Sequence, residues 1–352
     1  MKSTAYRGIG LMCGTSRDGL DVAEVIIHEE NGRFSFELIA TNCYDLTTGL
    51  NHKLKEASSL NALDLALLDR EVGIFMADCV NHFREYHKLK PTFIASHGIT
   101  LFHQPGLGMT FQLGHGGVLA AKTGLRVIND FRSQDVALGG QGAPLVPLCD
   151  QLLFSEYDFT LNLGGFANIS VLGEPTIGFD IGPCNFLLNH ICEISELDYD
   201  AGGKIAKGGT IDKAFFDCLN SAKYFDRAPP KSMGEEWFNQ HHLMLLEQFG
   251  HLSLENKLRT AVEHISFQIS KTLCHKGVCL VSGGGAHNDF LISRIKSLSK
   301  TTIEKPPKNI IDFKEAICFT LLGCLRLQNR NNTESSVTGA SKSCSAGAVY
   351  LP

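Results

Sequence analysis

The sequence predicts an α/β protein built from two copies of one lobe, with a central cleft between them. Two observations carry this reading. A β-rich meander, a helical stretch, a short apolar strand and a glycine-rich turn follow one another twice along the 352 residues. A chain of that length also suffices for two ordinary domains, each with its own core. The residues of the two copies differ while the pattern agrees, so the duplication is one of architecture.

In the first copy, Tyr6 to Cys13 alternates as a strand does, and Gly14-Thr15-Ser16-Arg17-Asp18-Gly19 makes a polar turn. Leu20 to His28 and Phe34 to Thr41 supply two more strands, joined by Glu29-Glu30-Asn31-Gly32, which completes an antiparallel meander. From Leu60 to His87, apolar residues such as Val72, Met76, Val80 and Phe83 recur at helical spacing. That predicts a long amphipathic helix or a kinked pair, stopped by Pro91. Thr92 to Ser96 is a short strand leading into His97-Gly98, and His97 and His103 flank a loop. In the second copy, Phe159 to Leu163, Ala167 to Leu172 and Thr176 to Ile181 are strands, and Leu254 to His275 is helical. Val278 to Val281 is a strand that enters Ser282-Gly283-Gly284-Gly285. The junction is expected near Pro144 to Asp150, giving lobes 1–148 and 149–352, with the last helix, Phe313 to Leu327, packing back on the first.

Composition excludes several classes. Hydrophobic residues make up 43% and charged residues 20% of the chain, which is globular rather than disordered. A net charge of -5 gives no electrostatic footprint for nucleic acid or for an acidic membrane surface. Met1 to Gly10 lacks the apolar run of a secretory signal, and no stretch approaches the roughly 20 apolar residues of a membrane span. The expected location is therefore the cytoplasm. The twelve cysteines are scattered without a Cys-x-x-Cys pair, and the fourteen histidines form no His-x-x-x-His. No zinc site is expected, and metal ligands stay unassigned.

Three glycine-rich turns are the candidate ligand sites. Glycine lets backbone approach an anion closely, and the hydroxyls of Thr15 and Ser16 add donors to the amide N–H groups. Gly164-Gly165 would face that first turn from the second lobe, so that the two clamp a polyphosphate, and Gly283-Gly284-Gly285-Ala286-His287-Asn288 suits a nucleoside. Either turn alone reads as an ordinary hairpin. Three in corresponding places of a duplicated fold point to function. No P-loop signature and no Gly-x-Ser-x-Gly occurs, which sets aside those phosphate-binding and hydrolase chemistries. Asp130 ends the apolar segment Val127-Ile128-Asn129, ahead of the loop Gly139 to Pro144. It reads equally as a general base and as a helix cap or salt-bridge partner of Arg126 or Arg132. Asp180 and Asn185, around Gly182-Pro183, read equally as turn and ligand residues.

The motifs resemble one family in order along the chain. GLMCGTSRDGLDVA from Gly10, ASHGITLFHQP from Ala95 and NDFRSQDVALGGQGAPLVP from Asn129 are similar to signatures of anhydro-N-acetylmuramic acid kinases. So are LNLGGFANISVL from Leu161, GFDIGPCN from Gly178, RAPPKSMGEEWF from Arg227, SGGGAHN from Ser282 and SVTGA from Ser336. The resemblance implies the actin, Hsp70 and hexokinase-like (ribonuclease H-like) fold. It implies phosphorylation of 1,6-anhydro-N-acetylmuramic acid by ATP with Mg²⁺ while water opens the anhydro bridge, a step of peptidoglycan recycling. By the family pattern Gly14, Thr15, Ser16, Arg17, Asp18, Gly19, Leu20 and Asp21 hold the ATP phosphates, and Asp130 is the base that activates water. His97, Gln112, Gly114, Asp180 and Asn185 are candidates for the sugar, and a homodimer is expected. The chain departs from the pattern at Cys13 and Arg17, at Cys184 and Glu235, and at His115, where an acidic or amide residue is expected. A kinase of the same fold for another amino or anhydro sugar, and a non-catalytic ATP-binding sensor, are the competing readings.

Overall fold

In the computed structural model, which describes residues 4–14, 19–229 and 231–352, β1 (Thr4–Met12), β2 (Leu20–Glu30) and β3 (Arg33–Tyr44) form an antiparallel meander. The β2–β3 turn needs only Asn31 and Gly32, at φ 53° and 80°, the pair of positive values that matches a tight hairpin to the strand twist. β4 (Phe93–Ser96) runs parallel to β1 and is buried throughout. Next come β5 (Ile99–Gln104) and β6 (Met109–Leu113), a separate two-stranded sheet. The sequence reads as a loop there because Ile99 and Leu113 are its only buried apolar residues, too few for a clear alternation. β7 (Arg126–Asn129) then returns parallel to β4.

The second copy repeats this plan. β8 (Phe159–Leu163), β9 (Phe166–Val171) and β10 (Ile177–Pro183) are an antiparallel meander. β11 (Val278–Ser282) lies parallel to β8, and β12 (Thr302–Glu304) parallel to β11. The order β10-β9-β8-β11-β12 matches β3-β2-β1-β4-β7 strand for strand. This is the expected ribonuclease H-like arrangement, present twice. β13 (Ala348–Tyr350) adds a sixth strand to the first sheet, antiparallel to β7.

The chain divides into two units, Met1–Phe154 with Phe313–Pro352, and Ser155–Asp312. The first crossing falls after Phe154 rather than at 148/149 because the helix Val146–Leu153 runs unbroken through the expected junction. Residues 313–352 group with the first unit because β13 completes its sheet. Each unit has its own core, around Val72, Phe83, Ile94 and Val127 in the first and around Leu161, Leu187, Phe215 and Val262 in the second.

Two helices shape the first unit. The stretch read as one helix or a kinked pair is a single helix, Ala62–His87, capped by the Asn61 side chain, which accepts from the Asp64 N–H. Val72, Met76, Val80 and Phe83 form its buried stripe. The helix Lys308–Leu327 packs on β1 and β4 through small residues. A Cβ on Gly10 would run into the carbonyl of Ala316, and one on Gly323 into Ala95. Beside this contact Lys314 and Asp150 pair at 2.7 Å, both nearly fully buried, an arrangement in which losing either partner strands a charge.

Gly10→Ala therefore forces sheet and helix apart. We expect a loss of about 1–3 kcal/mol in unfolding free energy, read by circular dichroism during denaturant unfolding. Unchanged stability would contradict the close approach.

Candidate active site

The first unit contains a cavity of about 180 Å³ around the carboxyl end of β7. Asn129, Asp130 and Ser133 line one side, Gln112 from β6 and His115 another, and Asp69 of the 62–87 helix a third. Asp130 sits just past the strand with φ at 57°, a left-handed conformation that short polar side chains tolerate by bonding locally. It does so here: its Oδ1 accepts from the Ser133 N–H at 3.2 Å. The reversal sends Phe131 into the core and leaves Asp130 at the cavity wall. Among the described residues no ion pair joins Asp130 to Arg126 or Arg132, and the N-cap position of the helix Ser133–Ala137 falls on Arg132, so Asp130 only bonds that helix's first N–H from outside it.

Arg132 is instead held by His97, whose Nε2 accepts from both Nε and Nη2 at 3.0 and 2.8 Å, and by the Gly142 carbonyl at 2.6 Å. The Nδ1 of His97 lies 3.0 Å from the Gly98 carbonyl and donates to it, since Nε2 is occupied as an acceptor. Burial first, and then the charge of Arg132, hold the imidazole well below its ordinary pKa. Burial also pulls the Arg132 guanidinium down to about 10, against the opposing pull of Glu315 and Asp135. With both ring nitrogens engaged, His97 positions Arg132 and does not line the cavity. Gly114 does not line the cavity either, but its N–H donates to the lining residue Asp69, at Oδ1, at 2.7 Å.

The glycine loop after β7 is fastened by Asp135, which is fully buried. Its Oδ2 accepts from the Gly142 N–H at 2.8 Å and its Oδ1 from the Thr338 hydroxyl at 2.7 Å. Gln141 N–H donates to the Thr338 carbonyl at 2.8 Å. One carboxylate thus ties the segments that resemble family motifs at Asn129–Pro147 and Ser336–Ala340.

In the second unit the structure gathers the other glycine turns. Asn185, at the start of the helix Asn185–Glu193, donates from Nδ2 to the Leu163 carbonyl at 3.1 Å and from its N–H to the Gly164 carbonyl at 3.1 Å. Gly285 packs against both Leu163 and Asn185. Gly165, Gly283 and Gly285 are required by packing, because a Cβ would strike Phe186, Asn162 or Leu163. At Gly164 and Gly284 a Cβ would meet nothing closer than 3.5 Å, so the protein's own packing does not account for these two glycines. Asn288 caps the helix Asp289–Leu298 through Oδ1 to the Leu291 N–H at 2.9 Å.

Asp180, on β10, accepts from the Met233 N–H at 3.0 Å, and its main-chain carbonyl accepts from the Tyr224 hydroxyl at 2.8 Å. Burial pushes its carboxyl up to about 6, although the Met233 N–H acts in the other direction. Gln112 and Gly114 therefore lie in the first unit, and Asp180 and Asn185 in the second. Of the first turn, Gly14, Gly19, Leu20 and Asp21 are described; Leu20 is a core residue and offers a ligand only backbone. Thr15, Ser16, Arg17 and Asp18 lie outside the described residues. Among the described residues no three His, Cys, Asp or Glu side chains cluster to hold a metal, no cysteine is in a disulfide, and no helix is long and apolar enough to cross a membrane.

Asp69 and Asp135 escaped the sequence reading. Asp69 had a signal: it stands three residues before Val72 and seven before Met76, so helical spacing sets it half-buried beside the buried stripe, where a carboxylate needs a partner. Asp135 had none, since its partners come from residues 142 and 338.

A family model described as anhydro-N-acetylmuramic acid kinase matches residues 6–352. A protein of that name from a Sulfurovum species is 35% identical over 362 residues, covering 98% of this chain and 99% of its own. Another, from Photobacterium profundum, is 37% identical over 374 residues, covering 98% of each. Among solved structures, the (R)-2-hydroxyglutaryl-CoA dehydratase component A of Acidaminococcus fermentans matches 89% of this chain and 95% of its own at 10% identity and a TM-score of 0.45.

Asp135→Ala removes the acceptor of two buried donors at once. A loss of about 3 kcal/mol is expected, measured by thermal unfolding, with faster amide exchange at Gly142. Wild-type exchange there would show that the loop is held by something else.

Proposed function

Because the chain belongs to the anhydro-N-acetylmuramic acid kinase family, we propose that it converts 1,6-anhydro-N-acetylmuramic acid, ATP and water to N-acetylmuramic acid 6-phosphate and ADP. The observation that carries this is the family match, which spans residues 6–352 and so takes in both units. The product belongs to peptidoglycan recycling, and the proposed setting is the cytoplasm, where ATP is available.

In the proposed reaction, water attacks the anomeric carbon and gives its proton to a carboxylate. The bond from that carbon to the bridging oxygen breaks, and the freed six-position oxygen takes the γ-phosphoryl group as ADP leaves. Both bond changes build negative charge on oxygen, which backbone N–H groups stabilise without reorganising. We assign the nucleotide to Gly14–Asp21, Gly164, Gly165, Gly283, Gly284, Gly285 and Asn288. The room at Gly164 and Gly284 supports this, because a phosphate or nucleoside resting on bare backbone would account for glycines that packing does not demand. Mg²⁺ fits as an ion carried largely by phosphate oxygens and water. When bound, it would offset phosphate charge.

Asp130 is the first assignment for the base. Its support is its place in the wall of the first unit's cavity, beside Gln112 and Asp69, where sugar hydroxyls find acceptors. A second reading gives the base role to Asp180, and one observation favours it: burial raises that carboxyl to about 6, close to where a general base works best at neutral pH. As an ionised base with a raised pKa, Asp180 would lose its acceptor form as pH falls through about 6.

The variants Asp130→Asn and Asp180→Asn separate the readings, with product followed by mass spectrometry as the joint gain of a phosphoryl group and one water. Removing the base should cut turnover by about 10²–10⁴-fold. The other variant should act chiefly on the sugar Michaelis constant. If Asp180 is the base, wild-type kcat/KM falls on the acid side of about pH 6. Near-normal turnover in both variants would refute both assignments. ATP binding with no phosphosugar formed would favour the sensor reading, and phosphorylation of other sugars alone would favour a kinase of different specificity.

A further inference from the structure

His115 joins a helix cap and a cavity wall in one side chain. Its Nδ1 accepts from the Val118 N–H at 3.3 Å, capping the helix Gly116–Thr123. A nitrogen that accepts carries no hydrogen, so the neutral ring holds its proton on Nε2. Among the described residues nothing bonds Nε2, and the ring lines the cavity that holds Asp69, Asp130 and Gln112. Capping alone does not explain a histidine here. Asp or Asn caps a helix better, and an acidic or amide residue is what the family resemblance leads one to expect at this position.

The rest of the wall sets what Nε2–H can do. Asp69 and Asp130 are acceptors, already drawing N–H groups from Gly114 and Ser133. The Nε2 of Gln112 gives one of its two N–H groups to the Thr110 hydroxyl at 2.8 Å. His115 is the one basic side chain in the lining. Carboxylates suit sugar hydroxyls, which can donate. An oxygen that only accepts needs a protein donor, and beside the hydroxyls of Ser133 and Tyr350 the lining offers the His115 Nε2–H.

We propose that His115 is a substrate-recognition residue whose Nε2–H donates to an acceptor-only oxygen of the sugar bound in the first unit's cavity. In an N-acetylated muramic acid that oxygen belongs to the acetamido carbonyl or to the lactyl carboxylate. The proposal rests on the reading of this cavity as the sugar site.

Two substitutions divide the side chain's roles. His115→Asn keeps an acceptor where Nδ1 lies and loses the Nε2 donor. His115→Gln places an amide nitrogen near Nε2 and loses the cap. We expect His115→Asn to keep the thermal midpoint and the Michaelis constant for ATP while raising that for the anhydro sugar about tenfold. His115→Gln should melt earlier and keep the sugar constant near wild type. Repeating the assay with 1,6-anhydro-N-acetylglucosamine, which lacks the lactyl group, and with the de-N-acetylated sugar identifies the oxygen, since the substrate missing it shows no further penalty from His115→Asn. Gln112→Ala serves as a control in the same cavity. If it raises the sugar constant while His115→Asn does not, the recognition role is overturned and the cavity reading stands. If neither moves the constant, the cavity is not the sugar site.

Discussion

The candidate site of the first unit depends on the buried carboxylate of Asp135. A fully buried acid is costly unless each oxygen meets a donor, and here one oxygen takes the Gly142 N–H and the other the Thr338 hydroxyl. Those donors lie on two different segments, so the pairing holds the glycine loop against the chain that leads into β13. The loop in turn offers the Gly142 carbonyl to Arg132, and Arg132 fixes His97. Asp130 stands two residues before Arg132 and five before Asp135, in a backbone conformation that its neighbours must enforce. A stretch rich in glycine is fastened because Gly142 and Gln141 bond to Asp135, Arg132 and Thr338.

The two units present carboxylates in different surroundings. Asp130 lines a polar cavity, whereas Asp180 is pushed towards neutrality by burial with a single N–H to oppose it. Of the two, Asp180 is the carboxylate whose charge changes near pH 6. Asp180 is bound by Lys231 and Met233 of the segment that carries the RAPPKSMGEEWF resemblance, and by Tyr224 just before it.

Much of the architecture was legible because it rests on local patterns. Alternation in Tyr6 to Cys13 and short apolar runs between turns elsewhere marked every strand of both meanders within a few residues, and helical spacing marked the 62–87 helix. The β5–β6 sheet was not legible, since so few of its residues are buried. The junction expected near Pro144 to Asp150 falls instead after Phe154, because the helix Val146–Leu153 crosses that stretch. At the site, the glycine turns, the strand-end carboxylate and the resemblance together singled out Asp130 and Gln112, which share a cavity, and Gly164, Gly165 and Asn185, which pack together. His97 carries a motif yet serves to hold Arg132. Asp69 was readable from its place beside an apolar stripe, while Asp135 was not, because its partners are remote in sequence.

The central claim is that the cavity beside Asp130 receives the carbohydrate. Hydrogen–deuterium exchange with 1,6-anhydro-N-acetylmuramic acid alone, without nucleotide, tests it most directly. The account predicts slower exchange in peptides covering 109–118 and 129–142. Unchanged exchange in both peptides at saturating sugar would contradict it.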